Sequence, residues 1–172
     1  MRTLASLLAV ALVATSRGLT SAGNPVSNAV RTMAVSSGKH LLGAAEAMPA
    51  DKYGFKPTPA QWSFGELIAH IQGDNRTTCA AFSGMKPADE PKPSPTDGKE
   101  KLVAALQRSL TFCDAALAKL TDATLGDTIT WYGDKTTRAM AAIGLVADWA
   151  DHYGQQAIYL RLNGVLPPTA KK

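Results

Sequence analysis

The 172-residue chain has no block of basic residues interleaved with aromatics, so it lacks the footprint of a nucleic-acid surface. Its apolar run Leu4 to Ala14 is too short to cross a bilayer as a stable helix. There is no internal repeat, which argues against solenoids and propellers. β-prone sequence is scarce: Thr128-Ile-Thr-Trp-Tyr132, followed by a Gly133-Asp134 turn signal, is one short run and does not by itself make a sheet. Only two cysteines, Cys79 and Cys113, and three histidines, His40, His70 and His152, are present. Few side chains are therefore available to carry thiol or imidazole chemistry.

The N-terminus reads as a processing segment. Met1-Arg2-Thr3 is a short basic start, the apolar run follows, and Thr20-Ser21-Ala22 supplies small residues for cleavage before Gly23. Residues 1–22 are thus expected to be a signal peptide, ahead of an uncleaved anchor or a buried helix. The mature protein would be periplasmic or secreted, with no membrane attachment. Residues 23–172 are enough for one domain with its own core. Arg2 and Arg17 leave with the leader, so the net charge falls from +4 to +2 and says little about partners. In an exported protein a lone cysteine pair invites a disulfide, although two small buried thiols that never meet fit the sequence as well.

Helical signals dominate the mature chain. A first helix is expected over about Ser27 to Ala47, interrupted by Ser36-Ser37-Gly38. A proline-punctuated connection, Met48 to Pro59, leads to a second helix with a capping box, Ser63 as N-cap and Glu66 reaching back. Phe64, Leu67, Ile68, Ile71, Thr78 and Phe82 recur on it at helical spacing until Gly84. After a proline-rich loop, Asp97-Gly-Lys-Glu100 suggests a second capping box. Leu102, Leu106, Leu110, Cys113, Leu117 and Leu120 then form a bundle seam. The last helix starts near Thr136 or Thr137 and ends at Asn163, with Gly164 suited to the left-handed position and Pro167-Pro168 blocking continuation. Four helices with loops of uneven length predict an all-α four-helix bundle.

Two of the histidines fall where a metal site can form. At about 100° per residue, His70 and Cys79 lie on opposite shoulders of the second helix's apolar face. A metal site on one seam and a disulfide on another can therefore coexist. On the last helix Leu145, Asp148, Trp149, His152, Gln156 and Tyr159 share a face, and Asp148 and His152 are one turn apart. With His70 they would give two imidazoles and one carboxylate, a set suited to a divalent transition metal with open positions. Asp74, one turn after His70, would orient that imidazole or replace Asp148 as the oxygen ligand. Gln155, Gln156 and Tyr159 are candidates to line the pocket. An ordinary helical ion pair also produces Asp-x-x-x-His spacing.

Three stretches resemble the DinB/YfiT-like superfamily. Trp62-Ser-Phe-Gly-Glu-Leu-Ile-Ala-His70 resembles its second-helix signature, and Asp151 to Pro168 its last helix and exit. Met48 to Thr58 resembles its first interhelical connection. The resemblance implies a four-helix bundle, often dimeric, holding a metal through one histidine of the second helix and a His-x-x-x-His pair of the last. It thus implies His70 and His152 as ligands and a homodimer, with Asp148 standing where the family pattern has histidine. That departure changes the charge and preference of the site among zinc, nickel, manganese and iron. His40 matches no family ligand. Some relatives use their metal to activate a low-molecular-weight thiol. The expectation is an exported metal-dependent enzyme acting on a small molecule, a hydrolase or a thiol-dependent transferase. The competing reading is a non-catalytic binding or dimerisation module with a degenerate site.

Overall fold

The computed structural model describes residues 23–170, so the proposed signal peptide lies outside the described residues. Four long helices form the body: α1 Pro25–Ala47, α2 Phe64–Ser83, α3 Lys99–Ala118 and α4 Arg138–Leu162. α1 and α2 each pack against both α3 and α4. The helices therefore alternate around the bundle, with α1 facing α2 across one diagonal and α3 facing α4 across the other. Their buried faces enclose one core, centred on Trp149, Phe64, Phe82, Leu41 and Leu106. The expected four-helix bundle is the fold.

Local chemistry explains most of the boundaries. The Ser63 hydroxyl accepts from the Glu66 amide at 3.2 Å, and the Ser63 amide donates to Oε2 of Glu66 at 2.6 Å. This capping box starts α2 and satisfies two otherwise free amides. α2 stops at Gly84, whose φ of 70° favours glycine. Thr137 caps α4 by accepting from the Met140 amide. The second expected capping box does not form: Gly98 is the N-cap of α3, and Asp97 instead accepts from Ser94 and pairs with Lys101.

α1 differs from expectation in running unbroken through Ser36-Ser37-Gly38. Gly38 is there for space rather than interruption. A Cβ on it would stand 3.3 Å from Cζ3 of Trp149, so the missing side chain lets α4 pack its indole against α1. That indole donates from Nε1 to Asn75 at 2.6 Å, and Asn75 donates to Ser109 at 2.9 Å, tying α4, α2 and α3 through one buried chain. Cys79 and Cys113 form a disulfide between α2 and α3, with Cα atoms 5.3 Å apart and both residues fully buried.

The β-prone run does find a partner. β1 (Thr128–Trp131) pairs antiparallel with β2 (Asp134–Thr137), Trp131 opposite Asp134. The two turn residues, Tyr132 and Gly133, both have positive φ, 49° and 92°, the geometry that matches the twist of a two-residue hairpin. The hairpin's inward edge is held by the Trp131 Nε1, which donates to Thr78 of α2 at 3.0 Å.

Candidate metal centre

The two histidines meet between α2 and α4. Their ring centroids are 5.0 Å apart in an edge-on arrangement. Each has a carboxylate one turn away on its own helix: Oδ2 of Asp74 lies 3.0 Å from Nε2 of His70, and Oδ1 of Asp148 lies 3.2 Å from Nε2 of His152. Trp62, just before the α2 cap, covers the other side of His70 with centroids 4.6 Å apart. One donor atom from each of His70, Asp74 and His152 falls within 4.8 Å of the other two. Asp148 is not in that close group; it sits beside His152, facing the cleft. His40 lies elsewhere, stacked on Tyr153.

The environment of His152 is unusual for an imidazole with no further task. It is only 6 % exposed, and neither ring nitrogen has a well-aligned hydrogen-bond partner among the described residues. Asp148 is within ion-pair range but off the line a hydrogen bond requires. Burial works against the charged ring, yet the neighbouring carboxylate of Asp148, helped by Asp151 and Gln155, outweighs it and raises the His152 pKa above its ordinary value. A buried imidazole with free ring nitrogens, 5.0 Å from a second imidazole and grouped with a carboxylate, fits a divalent transition metal in donor type and number.

The centre opens into a cleft of about 650 Å³. His70, Asp74, Asp148 and Asp151 are its ionisable lining, and Trp131, Tyr132 and Leu145 add aromatic and apolar surface. Burial, partly offset by the Thr78 hydroxyl and reinforced by Asp74 and Asp148, raises the Tyr132 pKa, so its phenol stays protonated. The remaining sequence candidates sit elsewhere. Gln155 and Tyr159 line a neighbouring cleft with Trp62 and Ile158, where the Tyr159 hydroxyl donates to the Trp62 carbonyl at 2.7 Å. Gln155 donates to Asp151. Gln156 is fully buried, and its amide has no partner among the described residues. The cleft residues that sequence reasoning missed are Trp131, Tyr132 and Asp151. The first two belong to the β-prone run, whose turn signal was the available clue.

The sequence pattern of the DinB superfamily matches residues 35–156, from within α1 to within α4, and includes His70 and His152. The chain belongs to the DinB superfamily. Solved structures agree on the fold of this DinB-superfamily chain. A DinB-like protein from Bacillus cereus ATCC 10987 is 16% identical, with a TM-score of 0.69 over 82% of this chain and 95% of that one. A DinB-like protein from Bacillus subtilis is 20% identical, with a TM-score of 0.67 over 84% and 99%. A mutant of mycothiol-dependent maleylpyruvate isomerase is 13% identical, with a TM-score of 0.61 over 74% of this chain and 59% of that one. No curated protein matches the sequence.

Proposed function

We propose that this DinB-superfamily protein is an exported metal-dependent enzyme acting on a small molecule, as a hydrolase or a thiol-dependent transferase. His70, Asp74 and His152 would hold the ion, with Asp148 the charged neighbour of His152. The observation that carries this reading is His152, buried with free ring nitrogens in a cluster of three donor groups. When bound, a zinc, nickel, manganese or iron ion would supply Lewis acidity and stabilise a thiolate near neutral pH. Around it, Trp131 and Tyr132 add aromatic surface to the cleft. Asp148, with a side chain 39% exposed, would present its carboxylate to a molecule in the cleft. The likeness in fold to a mycothiol-dependent isomerase supports the thiol-dependent branch of the proposal over the hydrolase branch.

The disulfide supports export, since such bonds persist in oxidising compartments. No helix among the described residues is long and apolar enough to cross a membrane. Ile143, Ile158 and Leu162, exposed along α4, support a homodimer. Light scattering on the mature protein tests that point.

A second reading has its own observation. Each histidine lies within ion-pair distance of an aspartate one turn away on its own helix, the arrangement of a paired, non-catalytic binding module. Elemental analysis of protein purified without a histidine tag separates the two. The metal reading expects one divalent ion per chain in wild type and loss in His70→Ala and His152→Ala. Wild-type protein without metal, and unable to take it up, would leave the binding module standing.

A further inference from the structure

We infer that the cleft beside the histidines takes an organic cation, an ammonium or guanidinium group carried on an apolar or aromatic body. The inference rests on reading this cleft as the functional site, and does not depend on which metal is bound.

The lining is one-sided in charge. Asp74, Asp148 and Asp151 all border it, and no lysine or arginine lines it among the described residues. Arg138, at the start of α4, is drawn away to Asp127 at 3.3 Å. With both imidazoles neutral, a divalent ion would still leave the three carboxylates one negative charge in excess. A carboxylate or phosphate substrate would enter against that field, whereas a cation would be drawn in by it. The cleft on the far face of α2 is different, since Arg76 and Lys92 offset Glu90 there.

The rest of the lining supplies apolar and aromatic surface beside these carboxylates. Trp131 and Tyr132 stand together, with ring centroids 5.3 Å apart, and Leu145 and Ala147 continue the apolar side. Aromatic faces attract ammonium and guanidinium groups, most strongly where water is partly excluded. Aromatic rings and carboxylates lining one cleft together are what distinguish it from an acidic surface patch. Beside His70 of the lining, with ring centroids 5.0 Å apart, lies His152, more than nine-tenths buried, with ring nitrogens that find no aligned partner among the described residues. The volume of about 650 Å³ suits a molecule of one or two rings.

The test compares 2-phenylethylamine with 3-phenylpropionate, similar bodies of opposite charge, by titration calorimetry. Mature protein is titrated both zinc-loaded and after chelation, with metal content measured on each sample. The amine should bind at least about tenfold more tightly than the acid. The double variant Asp148→Asn/Asp151→Asn should weaken amine binding by about fivefold or more, each exposed pair contributing a few-fold. Preference for the acid, indifference to the double substitution, or no binding of either compound overturns the inference. Amine binding by protein that takes up no zinc when zinc is supplied would sink the metal reading while sustaining this one. Stoichiometric zinc with a preference for the acid would do the reverse.

Discussion

Trp131 occupies the space that a side chain on Gly144 would need. A Cβ on Gly144 would stand 2.8 Å from Cη2 of the indole, closer than any real contact allows. The hairpin is therefore keyed into α4 at one point, while its indole nitrogen is tied to α2 through Thr78. This junction fixes the aromatic wall of the cleft relative to the histidines.

Gly144→Ala should accordingly act in a direction opposite to its usual one. In a helix interior the change ordinarily stabilises by about 1 kcal/mol. Here overpacking should destabilise by about 1–3 kcal/mol and push Trp131 off Thr78. Urea unfolding and tryptophan fluorescence would measure both effects. In a Trp131→Ala background the same substitution should become stabilising, and a sign that does not reverse would refute the contact as its cause.

The disulfide closes a loop between residues 34 apart in sequence. Replacing both cysteines with alanine should cost about 3–4 kcal/mol on the chain-entropy model. The expected result in urea unfolding is a lower midpoint for the double alanine variant. Reductant in the unfolding buffer should bring wild type down toward it.

The geometry also ranks the two carboxylates. Asp74 belongs to the close donor group and Asp148 does not. Asp148→Asn should weaken zinc binding by about 10–100-fold, as loss of a group that orients a ligand does. Asp74→Ala should weaken it further. Competition titrations with a chromophoric chelator would give both values. The reverse order would make Asp148 the ligand and Asp74 the neighbour.

Glu66 gives a pH signature. The Ser63 backbone amide, the Lys56 ammonium and the Ser63 hydroxyl hold its carboxylate down, with a pKa of about 2 against an ordinary 4.5. Because the folded value is depressed, its contribution is complete above the unfolded value and is lost as pH falls from about 4.5 toward 2. The Glu66→Gln variant should melt lower than wild type at pH 6, and the two should converge near pH 2. A constant gap across that range would dismiss the ionised cap.

The parts legible in the sequence were those set by neighbours along the chain. Ser63 and Glu66, the stop at Gly84 and the α3 seam are local patterns, and the structure contains them. Contacts between elements were not legible. Gly38 looked like a helix breaker because propensity registers its missing side chain and not the Trp149 ring that fills the space. β2 escaped notice because Asp134-Lys-Thr-Thr137 carries no apolar alternation; its pairing depends on the turn and on β1. The two aspartates posed the same difficulty. Each lies one turn from a histidine on its own helix, and only the approach of α2 to α4 brings Asp74 into the close group.

The arrangement of helices around the bundle also bears on how the chain reaches this state. α1 and α4, the first and last helices made, are neighbours, and Asp122, which precedes α4, accepts from the first amides of α1 at 2.8 and 3.0 Å. The N-terminal helix thus waits for partners that are synthesised last. Because α1 packs on α3 and α4 and not on α2, the next helix along the chain, it lacks the local partner an up-and-down bundle gives it. Folding should therefore be slower than in such a bundle of equal length. Until then α1 has an unburied apolar face, and the stage of folding most exposed to aggregation is the one before α4 is complete.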